Sequence, residues 1–251
     1  MTQQPTYVIL PMRFTPKPDP MAAFLEAVGL RRVLTSDSQT FVHFVGLGGE
    51  VAVHGPDTEG GTLTEPHTAL NLLTVDVAAA ANDLATKGVG VDWWDESYGR
   101  QGVFRDARGR SVGLNEVQTD TYGYQDHGAV PGGDIVVTAI VYSTDFEADA
   151  ERFGHFGFRV LPGSDENWTA LSAGPRSGVI GLHAPFGRVE PEGSTDAWIE
   201  LGLETTSPLE VVRDRLLAAG HDAEIVSDEN ATKVHVTDPD GFHLEIHPYV
   251  G

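Results

Sequence analysis

A chain of 251 residues with 40% hydrophobic content is long enough to bury a substantial core, as one large or two small domains. Its formal net charge of −21, from 37 acidic and 16 basic residues, repels phosphate backbones and anionic membranes and argues against either as a partner. The absence of cysteine excludes disulfides and thiolate chemistry and fits a cytoplasmic location, as does a start (MTQQPTYVILPMRF) without a basic stretch and apolar core.

Taken in chain order, residues 7–12 read as a strand and 20–28 as a helix. FVHFVG (41–46) and GEVAVH (49–54) read as strands, and GLGGE (46–50) as the turn between them. A strand over 67–73 and an Ala-rich helix over 77–87 follow, then a hairpin around DARG. Residues 119–133 are Gly-rich, polar and unpatterned, the composition of a linker. Tyr122 and Tyr124 offer rings that can pack it down.

The second half repeats the order. DIVVTAIVYS (134–143) is apolar and β-branched enough for a buried strand. Asp145 then opens an acidic amphipathic helix that closes near Gly157. Short strands are expected at 158–161, 168–173 and 178–183. Another strand starts at Trp198, and a helix runs from Ser207 or Pro208 to Ala219 with Gly220 beyond its end, the usual asymmetry of helix termini. Strands at 223–226, 233–236 and 242–247 complete the chain. In the turn DPDG, Pro239 presets φ and Gly241 tolerates positive φ.

The two halves are related by a repeat. Asp106 matches Asp238, Gly109 matches Gly241 and Gly88 matches Gly220 at one offset of 132. Upstream the offset shrinks to 129 for His54 and His183 and to 128 for Gly29 and Gly157. Small loop insertions in a duplicated sequence produce this pattern. The expected organisation is a module over 1–118, a linker over 119–133 and a second module over 134–251, each a doubled βαβββ arrangement.

A doubled βαβββ order carrying GHFGFRVL, RLLAAGHDAEIV and VTDPDGFHLEI resembles the vicinal oxygen chelate superfamily, over nearly the whole chain. That group holds glyoxalase I, the extradiol dioxygenases and the bleomycin-resistance proteins. The resemblance implies an α+β fold of tandem βαβββ units, forming curved half-barrel, antiparallel-rich sheets with helices outside. In metal-dependent members, ligands come from the first strand, the strand opening the second unit, and a carboxylate after DPDG. Those positions fall on Thr138, Trp198 and Glu245 in the second half and on Ile9, His67 and Gly113 in the first. A catalytic ion needs about three N or O ligands, so the resemblance points to sites dismantled in both halves and to no cofactor.

Several residues remain candidates for binding. His243, Glu245 and His247 alternate along one strand and share a face. They form a ligand-binding patch, or hold Glu245 as a base of raised pKa, or make a solvated face. His54 and His183 correspond in the repeat and each ends a strand before a turn, so they orient a ligand or bond the turn. Trp198, Trp168, Trp93 and Trp94 are pocket walls or core. His67 is a ligand-binding residue or a packed vestige. Two functions follow: a metal-free protein sequestering a flat or apolar small molecule, or a metal-dependent lyase, isomerase or dioxygenase. In the latter, Glu245 is ligand or base, and His183 with His243 and Glu245 is a possible ion site. Two copies mimic the dimer of single-copy relatives, so a monomer or a homodimer is expected.

Overall fold

The computed structural model describes residues 6–56, 65–128, 130–188, 195–228 and 231–249. The elements fall into four βαβββ motifs. The first has β1 (Val8–Ile9), β2 (Met12–Phe14), α1 (Pro18–Val28), β3 (Arg31–Ser36), β4 (Phe41–Val45) and β5 (Glu50–His54). The second has β6 (His67–Ala69), β7 (Asn71–Thr74), α2 (Val77–Thr86), β8 (Val91–Glu96), β9 (Gly99–Arg105) and β10 (Ser111–Glu116), with β11 (Tyr124–Asp126) beyond it. The third has β12 (Ile135–Tyr142), α3 (Phe146–Gly154), β13 (Arg159–Val160), β14 (Trp168–Ser172) and β15 (Val179–His183). The fourth has β16 (Ile199–Thr205), α4 (Leu209–Ala218), β17 (Ala223–Ser227), β18 (Thr232–Thr237) and β19 (His243–Pro248).

One wiring recurs. The last strand of each motif returns beside its first, giving the orders β3-β4-β5-β2, β8-β9-β10-β7, β13-β14-β15-β12 and β17-β18-β19-β16. The closing pairs β2–β5, β7–β10 and β16–β19 are parallel, which requires the helical crossover between them. Strand alternation then separates two faces. On β19, Leu244 and Ile246 are buried while His243 and Glu245 are exposed, and α4 buries Val212 and Leu216.

Local sequence sets the helix ends. Asp76 and Asp145 cap α2 and α3 by accepting from Ala79 N and Ala148 N at 2.9 and 3.0 Å. Prolines start α1, and Gly29 closes it at φ 121°. In the DPDG turn, Asp238 Oδ1 accepts from Asp240 N and Phe242 N, both at 2.9 Å, and Gly241 takes φ 92°.

Contacts divide the chain into two compact units. The first comprises Met1–Pro11, Ala69–Tyr122 and Ala139–Glu200; the second comprises Met12–Thr68, Gly123–Thr138 and Leu201–Gly251. The first unit holds α2 and α3, the second α1 and α4, so each draws a motif from each half of the sequence. This is a division by contact; the modules expected over 1–118 and 134–251 are a division by repeat.

Four expectations need correction. The strand over 7–12 is two, β1 and β2, separated at Leu10 and Pro11, where proline has no N–H for a ladder. The strand over 67–73 is likewise split at Leu70 into β6 and β7. The helix expected from residue 20 starts at Pro18. The segment 119–133 is not wholly irregular: β11 pairs antiparallel with β3, Tyr124 opposite Ser36, while Tyr122 is 92% exposed.

Candidate functional site

In the first unit, rings gather around His183 at the end of β15. Trp168 lies opposite it in the β14–β15 register, and Ser143 N, next to Tyr142, donates to His183 O at 2.9 Å. Trp168, Tyr142 and Phe186 meet the imidazole nearly edge-on, with centroids at 5.8, 5.6 and 5.4 Å. Trp198 packs on Tyr142 at 4.4 Å and 33°. A β-carbon on Gly181 would lie 2.0 Å from the Trp168 ring, so the glycine gives the indole its seat. Arg188 donates to Tyr142 Oη and to Glu200, with its guanidinium 5.2 Å from the Tyr142 ring centroid. Burial, then the Glu200 contact, pushes the Tyr142 phenol up, so it stays protonated.

The second unit builds the related cluster at matching positions. Phe41 lies opposite His54 in the β4–β5 register, and Thr15 N, next to Phe14, donates to His54 O at 3.0 Å. Phe14 therefore answers to Tyr142, Phe41 to Trp168 and His54 to His183. Phe14 contacts His54 at 5.3 Å and stacks on His67 at 4.7 Å and 15°. Tyr124 meets Phe41 edge-on at 6.2 Å, and His43 Nε2 lies 2.7 Å from Glu50 Oε2.

Both conserved-offset histidines bond the backbone in the same way. His54 Nδ1 lies 2.7 Å from Gly55 O, and His183 Nδ1 lies 2.6 Å from Ala184 O. A carbonyl only accepts, so each Nδ1 carries hydrogen, and in the neutral ring Nε2 is an acceptor.

A third group lies on one face of β18 and β19 in the second unit. Glu245 is ringed by Lys233 Nζ at 3.0 Å, His235 Nε2 at 3.1 Å and His247 Nε2 at 3.0 Å. Burial acts to raise its carboxyl, but the hydrogen bonds and charges of Lys233 and His247 outweigh it and hold the group below its ordinary range. The expectation of a raised base at Glu245 is overturned: its side chain is 45% exposed and it faces the Lys233 ammonium. The raised carboxyl on this face is Glu204, which pairs with His247 across β16 and β19. Burial pushes it up, partly offset by the Thr138 hydroxyl donating to Oε1 at 2.8 Å. His243 shares the strand face, opposite Thr237.

The family positions for a metal do not form a donor set. Thr138 is committed to Glu204, and Glu245 already faces the Lys233 ammonium. Trp198 offers only an N–H donor. In the first half, Ile9 is fully buried and apolar, His67 is stacked on Phe14, and Gly113 has no side chain. Asn71, paired with Gly113 across β7 and β10, fills the space that a side chain there would take. These residues do not fit a divalent ion. Among the described residues no group of three or more His, Asp or Glu is arranged to hold one. His183 lies in the first unit and His243 and Glu245 in the second.

Trp93 and Trp94 stand on β8, the edge strand of the five-stranded sheet, 43% and 41% exposed, with Arg100 over Trp93 and Trp94 Nε1 donating to Glu96. Tyr142, Phe14, Phe41, Phe186, Arg188 and Glu204 were not singled out by the sequence. The repeat carried the signal for two of them, since Phe14 and Tyr142 keep the offset of 128 that relates Gly29 to Gly157.

No family model matches the chain, and no curated protein does. Solved structures do. A catechol 2,3-dioxygenase superposes with a TM-score of 0.61 at 13% identity, over 96% of this chain and 86% of that one. The 2,3-dioxygenase LapB from Pseudomonas sp. KL28 gives 0.61 at 14%, over 98% and 94%. The Mn(II)-bound glyoxalase from Novosphingobium aromaticivorans gives 0.58 at 14%, over 97% and 81%. The chain has the α+β, vicinal oxygen chelate fold that extradiol dioxygenases and this glyoxalase share.

Proposed function

We propose that the chain is a metal-free small-molecule-binding protein that sequesters a flat aromatic ligand on the ring cluster of Tyr142, His183, Trp168 and Trp198. The observation that carries this is Trp198, which stacks on Tyr142 at 4.4 Å from a position where the resemblance expects a metal ligand. An indole there removes a donor and adds a stacking surface. His183 Nε2 supplies an acceptor, and Arg188 and Glu200 supply polar edges that orient the ligand. Two of the four tryptophans, Trp168 and Trp198, stand in this cluster, while Trp93 and Trp94 lie on β8, so the part of an emission change that Trp198→Ala removes reports on the cluster. The expected result is quenching or a shift on titration with aromatic metabolites or antibiotics, lost in Trp198→Ala. Unchanged emission across a diverse panel sinks the proposal.

A second reading, a metal-dependent lyase, isomerase or dioxygenase with Glu245 as ligand, draws on His235 and His247 within 3.1 Å of that carboxylate. It also draws on the metal-bound glyoxalase among the similar structures. Elemental analysis of protein purified without affinity-metal resin separates the two. About one ion per chain, lost in Glu245→Gln, favours the enzyme; no ion in either favours the binding protein.

A further inference from the structure

We infer that the ring cluster of the second unit, built on Phe14, Phe41, His54 and His67, is a second ligand site, and that it takes planar aromatic molecules carrying an O–H or N–H donor. The inference extends the reading of the first cluster but stands on its own residues.

Two histidines set the chemistry. His54 Nδ1–H is spent on Gly55 O at 2.7 Å, and His67 Nδ1–H on Glu65 O at 3.2 Å. Both neutral imidazoles therefore keep Nε2 as an acceptor, and among the described residues neither Nε2 makes a hydrogen bond. Phe14 contacts both rings, at 5.3 and 4.7 Å. The cluster thus combines aromatic faces with acceptors, and among the described residues no side-chain cation lies over these rings. A ligand that stacks here must bring the hydrogen.

Side-chain exposure agrees. Phe14, Phe41 and His54 are half-buried and His67 is exposed, as in a rim open to solvent and not a filled core. The first cluster differs at each matching place: Tyr142 for Phe14, Trp198 for His67, Trp168 for Phe41, with Arg188 and Glu200 added. The backbone frame is shared, since Thr15 N and Ser143 N donate to the two histidine carbonyls at 3.0 and 2.9 Å. One scaffold thus presents two sites of different selectivity: the first with a charged rim, the second with bare acceptors.

Isothermal titration of the full chain with 2-naphthol tests this. Two sites per chain are expected. His54→Phe, which keeps a ring and removes the acceptor, should abolish one of them and leave the tryptophan response intact. Trp198→Ala should abolish the other. In wild-type protein, 2-methoxynaphthalene, which lacks the donor, should bind the second site roughly tenfold more weakly, the worth of about one hydrogen bond. This comparison needs no variant and covers the case in which His54→Phe does not fold. One site removed by Trp198→Ala and untouched by His54→Phe overturns the inference and leaves the first site standing. One site removed by His54→Phe alone supports the inference and removes the first reading. Equal binding of the two probes at the second site, or no binding of 2-naphthol, overturns it.

Discussion

Asn71 occupies the space above Gly113: a β-carbon built on that glycine would lie 1.8 Å from Asn71 Oδ1 and 2.7 Å from its Cγ. The two residues are partners across parallel strands β7 and β10, and Asn71 is buried. The second half carries Glu245 at the position matching Gly113, with a glycine, Gly202, on the first strand of its motif. Side chain and glycine have changed places between the halves.

This makes Gly113 and Asn71 a coupled pair. Gly113→Ala should cost about 1–3 kcal/mol, the range for forcing a group into a packed site. In an Asn71→Gly background the same change should cost much less. Urea denaturation of the four proteins gives the coupling energy directly. Additive costs would mean that the two side chains do not compete for space.

Arg13 holds the last turn of the second unit. Its Nη2 donates to Asp238 Oδ2 at 3.0 Å and Asp240 Oδ2 at 2.9 Å, while the Phe242 ring centroid lies 4.3 Å from its guanidinium carbon. Arg13 and Asp238 are both buried. Removing one member of such a network leaves carboxylates without a counter-charge, so Arg13→Met should lose about 3–5 kcal/mol. Asp240 is the second carboxylate on that nitrogen, and Asp240→Asn keeps a hydrogen-bonding oxygen, so it should cost less. Midpoints in urea test the ranking; a near-neutral Arg13→Met would remove the anchor role.

Glu204 and Glu245 should respond to pH in opposite senses. A raised carboxyl is penalised while ionised, so the stability withheld by Glu204 returns as pH falls through its folded pKa toward the ordinary glutamate value, about 4.3. Glu204→Gln should therefore raise the melting temperature at neutral pH and change little in acid. Glu245 is lowered, so its contribution is present above the ordinary value and is lost as pH falls through the folded one. Glu245→Gln should cost under about 1 kcal/mol at neutral pH, because a half-exposed pair is screened, and nothing in acid. Melting curves from about pH 3 to 8 separate the variants; parallel curves for both would refute the assignment.

The wiring was legible because its punctuation is local. Asp145 as a cap, Pro208 before α4, Gly220 after it and DPDG before β19 each act within a few residues. The break at Pro11 was equally local, but an apolar run from Tyr7 to Met12 outweighed it in the pattern. The site was only partly legible. Alternation put His243, Glu245 and His247 on one face, and the repeat linked His54 to His183. What alternation cannot supply is the partner across the sheet. Lys233, twelve residues before Glu245 on β18, turned a presumed base into an ion-paired acceptor. Glu204 reads as an ordinary strand glutamate until its burial beside Thr138 is known. Trp198 was the exception, since its identity alone argued against a ligand.

The two offset-related histidines offer a direct check on the clusters. His54 and His183 each place Nδ1–H on the carbonyl of the next residue, at 2.7 and 2.6 Å. That bond fixes the tautomer and the ring orientation, and it leaves Nε2 as the acceptor on which both proposed sites depend. Long-range ¹⁵N–¹H correlation spectra of the full chain at neutral pH should show both rings as Nδ1–H tautomers, with Nε2 at the shift of an unprotonated nitrogen. Addition of 2-naphthol should move the Nε2 signals while the Nδ1 signals hold, because the ligand's hydrogen reaches one nitrogen and the backbone keeps the other. Either ring found as the Nε2–H tautomer would turn its acceptor into a donor and remove the chemical basis for selecting O–H or N–H ligands at that cluster.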